Sequence, residues 1–311
     1  MRKTLHQLFD QFLYEAEFVK KVRPRTLKGY KDTFKLFSNI LPGVSIETLH
    51  SKSIIDFFRI LQERKRLVGK GIYKEGIKKT TVATYWGKLN AFFQWLHFRQ
   101  HIPVNPFTEL PYPSHSYVNQ KFLKKEEIER IITAIHTHHD NNLLLLKRNL
   151  VLFYTLLFCG LRKEELLLLQ VRDIDFERKI ITIRADTSKS GRSRTLPLHT
   201  TLHMYLKDYL AARKSYTTPY LIVSSARDHQ LSEYGLNHWV EKMKDCSGVY
   251  FHLHQLRHTF AVNFLHSSNN IAKLKQLMGH KSIMMTMVYL RCLPVDQMRG
   301  DIENMTIDKM I

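Results

Sequence analysis

Apolar residues recur at helical spacing through the first hundred positions. Leu5, Leu8, Phe9, Phe12, Leu13 and Ala16 follow the i, i+3, i+4, i+7 rule, which places them on one face of a helix. A second helix follows Arg23-Pro24-Arg25-Thr26. Its Leu27, Tyr30, Phe34 and Phe37 form one stripe, and Pro42-Gly43 breaks it. A short third helix is predicted from Ser51 to Glu63. The segment from Arg64 to Lys79 loses this periodicity; it holds seven basic residues, one acid and three glycines, and reads as a mobile loop. The pattern resumes from Thr81 to Gln100, with Tyr85, Leu89, Phe92, Phe93 and Leu96 directed inward.

Pro103, Pro106, Pro111 and Pro113 then fall within eleven residues. Proline removes a backbone donor and clashes with the preceding turn, so no helix continues here and a domain boundary is expected. Beyond it, helices are predicted from Lys124 to His136, Leu143 to Phe158 and Arg162 to Leu169, the second apolar enough to be buried all round. The period then changes to two. Ile180 to Ala185 and Arg194 to Leu198 read as strands around the turn Ser188-Lys189-Ser190-Gly191, and helices dominate from His199 onward. The fold class is mainly α with a small antiparallel β-sheet (α+β). The domains expected are 1–110, a linker at 111–123, and 124–311.

The chain has 311 residues, ample for two cores, and 44% of them are hydrophobic. Its 48 Lys and Arg against 28 Asp and Glu leave a formal charge of +20. Such an excess repels itself unless a polyanion neutralises it, and nucleic acid gains counterion-release entropy by doing so. A membrane surface is the rival, but no apolar run approaches the ~20 residues of a spanning helix, and the start lacks a signal-peptide core. Cys159, Cys246 and Cys292 are sparse and odd in number, giving neither a disulfide framework nor a zinc pattern. A reduced, cytoplasmic, nucleoid-associated protein is expected.

Four segments carry residues suited to one chemistry. They are Gly160-Leu161-Arg162 with Glu165; the Lys189 turn; His254-Gln255-Leu256-Arg257-His258; and Leu277-Met278-Gly279-His280, with Tyr289 nine residues after the histidine. A phosphodiester under attack gathers negative charge on its non-bridging oxygens. Guanidinium groups bind that charge through parallel hydrogen bonds and keep their proton. A tyrosine ionises near ~10 and needs neighbouring cations and a base to attack at neutral pH. The departing 5′ oxygen needs a proton, which Lys or His can give. Such a reaction calls for no metal and no cofactor.

In this order and spacing, the segments resemble the tyrosine recombinase (phage integrase) family, in its compact Xer-like two-domain form. Arg25-Thr26-Leu27-x-x-Tyr30 extends the likeness to the family's helical core-binding (SAM-like) domain. The resemblance implies a helical core-binding domain followed by a tyrosine recombinase catalytic domain. It implies that Arg162 and Arg257 grip the scissile phosphate and that Tyr289 attacks it to leave a 3′-phosphotyrosine and a free 5′ hydroxyl. It further implies Lys189 as general acid, His254 as proton acceptor from Tyr289 or phosphate contact, and His280 as holder of a non-bridging oxygen. Glu165, one helical turn after Arg162, is expected to orient that arginine.

The function implied is site-specific recombination through a Holliday junction. The partners implied are double-stranded DNA with paired half-sites and a homo-tetramer, or a hetero-tetramer, on that DNA. The core-binding pattern starts within the first ten residues, so no arm-binding domain is expected before it; a compact recombinase of the Xer or transposon-resolution kind is expected, with a mobile-element integrase of reduced size as the alternative within the family. A type IB topoisomerase, with a similar set of residues, is the alternative, and a non-enzymatic DNA-binding protein is a third reading that the complete set opposes. The sequence departs from the family at Met284-Met285, at Asn269-Asn270 and at Lys124, none of them a catalytic position.

Blander readings apply at the margins. His136 to Asp140 reads as a polar loop rather than a metal site. His258 is read as a packing or orienting residue. Arg25, Arg64, Lys65, Arg66, Lys70, Lys78, Lys79, Arg192 and Arg194 are expected to contact phosphates, which positions a protein without reading sequence. The tail from Pro294 is acidic, and its Ile302, Met305 and Ile307 are expected to dock on a neighbouring subunit.

Overall fold

The computed structural model describes residues 3–67, 71–113, 121–139, 141–224 and 227–292. The chain divides into two compact units, Met1–Ser116 and Tyr117–Ile311. Most of the linker expected at 111–123, together with Lys70, Asp140 and the tail from Pro294, lies outside the described residues.

The first unit is built on α1 (Leu5–Tyr14), α2 (Pro24–Ile40), α3 (Ser51–Glu63) and α4 (Lys79–Phe98). Thr4 caps α1 reciprocally: its Oγ1 accepts the Gln7 N–H at 3.2 Å, and the Gln7 Oε1 accepts the Thr4 N–H at 2.9 Å. The apolar stripes meet in an aromatic core, where Phe9 stacks on Phe34 at 3.9 Å and Phe37 meets Phe57 and Phe93 edge to face. A π-turn, Glu15–Val19, follows α1 and is tied to α4, because Trp95 Nε1 donates to Glu15 Oε2 at 2.9 Å.

The segment expected as a loop contains an antiparallel hairpin instead. β1 (Lys65–Leu67) pairs with β2 (Tyr73–Glu75), Arg66 opposite Lys74. Both strands are three residues long and largely exposed, so no hydrophobic alternation announces them. The arrangement is anchored by Gly76, whose carbonyl accepts from Arg66 Nε at 2.9 Å.

The second unit places α6 (Leu143–Cys159) at its centre, packed against α8 (Thr200–Ala212) and α10 (Leu253–Ser268). Val151, Leu152, Phe153 and Leu156 of α6 are fully buried, as its all-round apolar character requires. α5 (Lys125–Thr137) packs on α9 (Glu233–Ser247). A three-stranded antiparallel sheet has the order β3 (Ile174–Asp175), β4 (Ile180–Ile183), β5 (Arg194–Pro197), with Ile181 opposite Leu196. β3 was not expected, since two residues carry no period. After α10, Asn270 caps α11 (Ile271–Met278) by accepting the Lys273 N–H at 2.8 Å. α12 (Met284–Met287) then leads into a 3-10 turn, Val288–Cys292, which carries Tyr289. Among the described residues, no helix is long and apolar enough to cross a membrane.

Candidate active site

Two glycines that end helices create the positions of the arginines. α6 closes on Gly160 in the left-handed region, φ +55, and α11 closes on Gly279 at φ +62. A Cβ on Gly160 would lie 2.3 Å from the Phe260 ring, so the chain turns there only as glycine. Leu161 then anchors in the core and Arg162 starts α7 (Lys163–Leu167). Arg257, on the second turn of α10, is 1% exposed.

The carbonyls at the end of α11 lack intrahelical partners and carry the negative end of the helix dipole. Three successive carbonyls receive three guanidinium groups. Arg194 Nε donates to Leu277 O at 2.7 Å, Arg257 Nη2 to Met278 O at 2.6 Å, and Arg162 Nη2 to Gly279 O at 3.4 Å. Arg257 Nη1 also donates to the carbonyl of Gly160 at the end of α6. Two helix ends therefore hold Arg257 in place. Burial, reinforced by the repulsion of Arg162, pulls its pKa down to about 9, which leaves it charged at neutral pH.

Glu165 supplies the negative charge at the centre of this cluster and is itself 1% exposed. Arg194 donates to both its oxygens, at 3.0 and 2.7 Å. Arg162 adds its Nη1 at 2.9 Å and its backbone N–H at 3.0 Å. Burial opposes ionisation of Glu165, but the bonds from Arg194 and Arg162 outweigh it and bring the pKa to about 2.

The histidines and the tyrosine line the other side. His280 Nδ1 lies 2.9 Å from Thr286 Oγ1, and its Nε2 lies 3.1 Å from Arg257 Nη2. Arginine only donates, so Nε2 accepts and the ring hydrogen sits on Nδ1, facing Thr286. Burial, with Arg257, Arg162, Arg194 and His254 nearby, holds His280 neutral with a pKa of about 3. Tyr289 is buried, and its hydroxyl lies 2.8 Å from His258 Nδ1. Burial raises the phenol to about 12 despite the pull of Arg257 and Arg162. His258 is held at about 4 by burial first, then by His254 and Arg257. His254 stands at the exposed edge, its ring 4.3 Å from that of His258 in an edge-to-face contact. Burial and the two arginines also lower its pKa.

Arg162, Lys189, His254, Arg257, His280 and Tyr289 all line one cleft of about 770 Å³. Lys189 reaches it, exposed, from the β4–β5 connection, where the Gly191 N–H closes a turn on Ser188 O at 3.1 Å. Exposed Met284, Met285 and Met287 border the same cleft. The first unit carries Arg25, Lys65, Lys78 and Lys79 exposed, with Arg64 and Arg66 half-buried; Arg192 is exposed in the second unit.

Two residues stand elsewhere than the sequence reading put them. Arg194, expected at phosphates with Arg192, is buried and committed to Glu165 and Leu277. It shares the inward face of β5 with Leu196, while Thr195 and Pro197 face out, a period-two signal present in the sequence. His258, read as packing, touches the Tyr289 hydroxyl, the contact anticipated for His254. Among the described residues, no cluster of His, Cys, Asp and Glu is arranged to hold a metal, and His138 ends α5 by bonding Thr137 and Ala134.

Residues 121–294 match the sequence model of the Phage integrase family. Tyrosine recombinase XerC of Oceanobacillus iheyensis is 24% identical over 293 residues, 92% of this chain and 91% of that protein. XerC of Staphylococcus aureus is 26% identical over 292 residues, 92% of each. Among solved structures, the Tn1549 transposon integrase in complex with transposon right end DNA has a TM-score of 0.78 at 18% identity, covering 97% of this chain and 99% of that one. The XerH site-specific recombinase bound to palindromic difH substrate has a TM-score of 0.71 at 19% identity, covering 92% and 80%. These two share the fold, and the family match covers the whole cleft just described. The chain belongs to the phage integrase family, as an Xer-like tyrosine recombinase.

Proposed function

We propose that the protein cuts DNA by attack of Tyr289 on a scissile phosphate held by Arg162 and Arg257, leaving a 3′-phosphotyrosine and a free 5′ hydroxyl. The protein is a site-specific DNA recombinase. The observation that carries the catalytic reading is the convergence of six residues, from segments far apart in sequence, on one cleft. The paired guanidiniums supply fixed positive charge where the phosphate gains negative charge, and they do so without reorganising. Lys189, exposed on its turn, protonates the leaving 5′ oxygen. His254, at the exposed edge, contacts the phosphate. His280 holds a non-bridging oxygen once its ring hydrogen shifts to Nε2, a tautomer that Thr286 supports by turning its hydroxyl to donate to Nδ1. The covalent ester conserves the bond, so rejoining needs no ATP, and no step calls for a metal.

The substrate proposed is duplex DNA with paired half-sites, bound by a tetramer in the cytoplasm at the nucleoid. The lambda integrase, which has a TM-score of 0.71 at 19% identity, forms a tetramer on a Holliday junction. Residues 1–110 act as the core-binding domain and 124–311 as the catalytic domain. Arg25, Arg64, Lys65, Arg66, Lys78, Lys79 and Arg192 contact phosphates.

The test uses a suicide substrate nicked beside the cut site. Wild-type protein forms a covalent adduct on a denaturing gel without added magnesium or ATP. Tyr289→Phe abolishes the adduct and keeps DNA binding. An adduct that persists in that variant, or that requires a metal, overturns the mechanism. Joined products from two DNA partners, rather than relaxed circles from one, identify recombination.

A further inference from the structure

We propose that His258 is a further catalytic residue, taking the Tyr289 hydroxyl proton on its Nδ1 as that oxygen attacks phosphorus. The inference rests on Tyr289 being the nucleophile and adds the base that the attack requires.

Geometry comes first. His258 Nδ1 and Tyr289 Oη are 2.8 Å apart, within the range for a general base and the proton it removes. The contact joins α10 to the 3-10 turn, two elements that pack directly on each other. His254 is the other imidazole on this face, one turn earlier on α10. It reaches the His258 ring edge to face at 4.3 Å, and among the described residues the hydrogen bond to Tyr289 Oη is made by His258. His280 is occupied by Arg257 and Thr286.

Electrostatics agrees with this placement. The tyrosine is buried and its phenol is pushed up to about 12, so it does not ionise ahead of the attack at neutral pH. It needs an acceptor in contact at the moment the bond to phosphorus forms. His258, kept neutral by burial and by nearby His254 and Arg257, has its Nδ1 lone pair available whenever its ring hydrogen sits on Nε2.

The step balances without any further reactant. The Tyr289 O–H bond breaks and its proton goes to His258 Nδ1. The Oη–P bond forms, the P–O5′ bond breaks, and O5′ takes a proton from Lys189. Rejoining runs the same path backwards: the 5′ hydroxyl attacks, Tyr289 departs and recovers its proton from the His258 imidazolium.

The experiment measures single-turnover cleavage of the suicide substrate. His258→Asn leaves an amide oxygen near the Nδ1 position, which accepts a hydrogen bond but does not take up a proton. Expected are wild-type DNA binding and a cleavage rate lower by about 10²–10⁴-fold, the usual worth of a general base. His258→Gln serves as the second variant if the first is not folded by circular dichroism.

A ring-trifluorinated tyrosine at position 289, whose phenol is far more acidic, then restores much of the rate in the His258 variant, because an already ionised nucleophile needs no base. A 5′-phosphorothiolate substrate, whose sulfur leaves without a proton, rescues Lys189→Ala and leaves the His258 defect in place. Wild-type cleavage by both His258 variants overturns the proposal. So does fluorotyrosine rescue of His254→Ala in place of the His258 variant. Adduct formation by Tyr289→Phe would instead defeat the assignment of the nucleophile, a result separate from these.

Discussion

Glu165 and Arg194 form a buried, two-pronged ion pair, with Arg194 donating to Oε1 at 3.0 Å and to Oε2 at 2.7 Å. Both side chains are almost wholly removed from solvent. The same carboxylate holds Arg162 through its side chain and its backbone N–H, and Arg194 also ties down the end of α11 ahead of His280. One ion pair thus fixes Arg162, the arginine proposed to bind phosphate, and the helix end that precedes His280. Breaking a buried pair leaves a bare charge, which costs about 3–5 kcal/mol. Arg194→Ala is therefore expected to lose about that much stability in urea unfolding. Arg194→Lys keeps the charge without the fork and is expected to fold, with slower cleavage and little change in DNA affinity.

Arg257→Lys tests the second guanidinium. Lysine presents a point charge and does not serve Gly160 O, Met278 O and His280 together as the guanidinium does. Loss of one preorganised donor to the transition state lowers the cleavage rate by about 10²–10³-fold. Gel-shift affinity for uncut DNA is expected to stay within a few-fold of wild type.

Gly160→Ala probes the turn that delivers Arg162. The left-handed backbone and the 2.3 Å approach to Phe260 act together. Overpacking of this kind costs about 1–3 kcal/mol, read as a lower urea midpoint. Adding Phe260→Leu is expected to recover the steric part and leave the backbone part.

Stability is expected to fall with acid in a defined window. His258 and His280 ionise near 6.5 when unfolded, but at about 4 and about 3 in the folded protein. Between those values the unfolded chain binds more protons, so stability decreases as pH drops from about 6.5 toward 4 and gains nothing from these groups above it. Glu165 acts lower: its contribution is complete above 4.5 and is lost toward about 2. Urea midpoints across pH 4 to 8 check this, and His258→Asn should show a shallower slope.

Salt dependence checks the basic residues of the first unit. Each phosphate contact contributes about −0.9 to the slope of log affinity against log salt. Lys65→Ala with Lys79→Ala, both exposed in the first unit, should make the slope less negative by up to about two contacts' worth, for every DNA sequence alike.

The sequence by itself determined the long helices and singled out the residues proposed to react. α1, α2, α4 and α6 follow apolar periods long enough to outweigh local noise, and the spacing from His280 to Tyr289 singles out the proposed nucleophile. It also held, unread, the inward face of β5 that buries Arg194, and the i, i+3, i+4 relation of His254, Arg257 and His258 on α10. Tertiary structure alone decided what those faces meet. The hairpin of β1 and β2 depends on pairing across a loop, with no buried face to encode it. The Arg194–Glu165 pair spans 29 positions, and the His258–Tyr289 contact spans 31. Such contacts depend on how α7, β5, α10 and the final turn pack. A local pattern fixes which face of an element is apolar, and only the packed core selects the partner opposite a polar one.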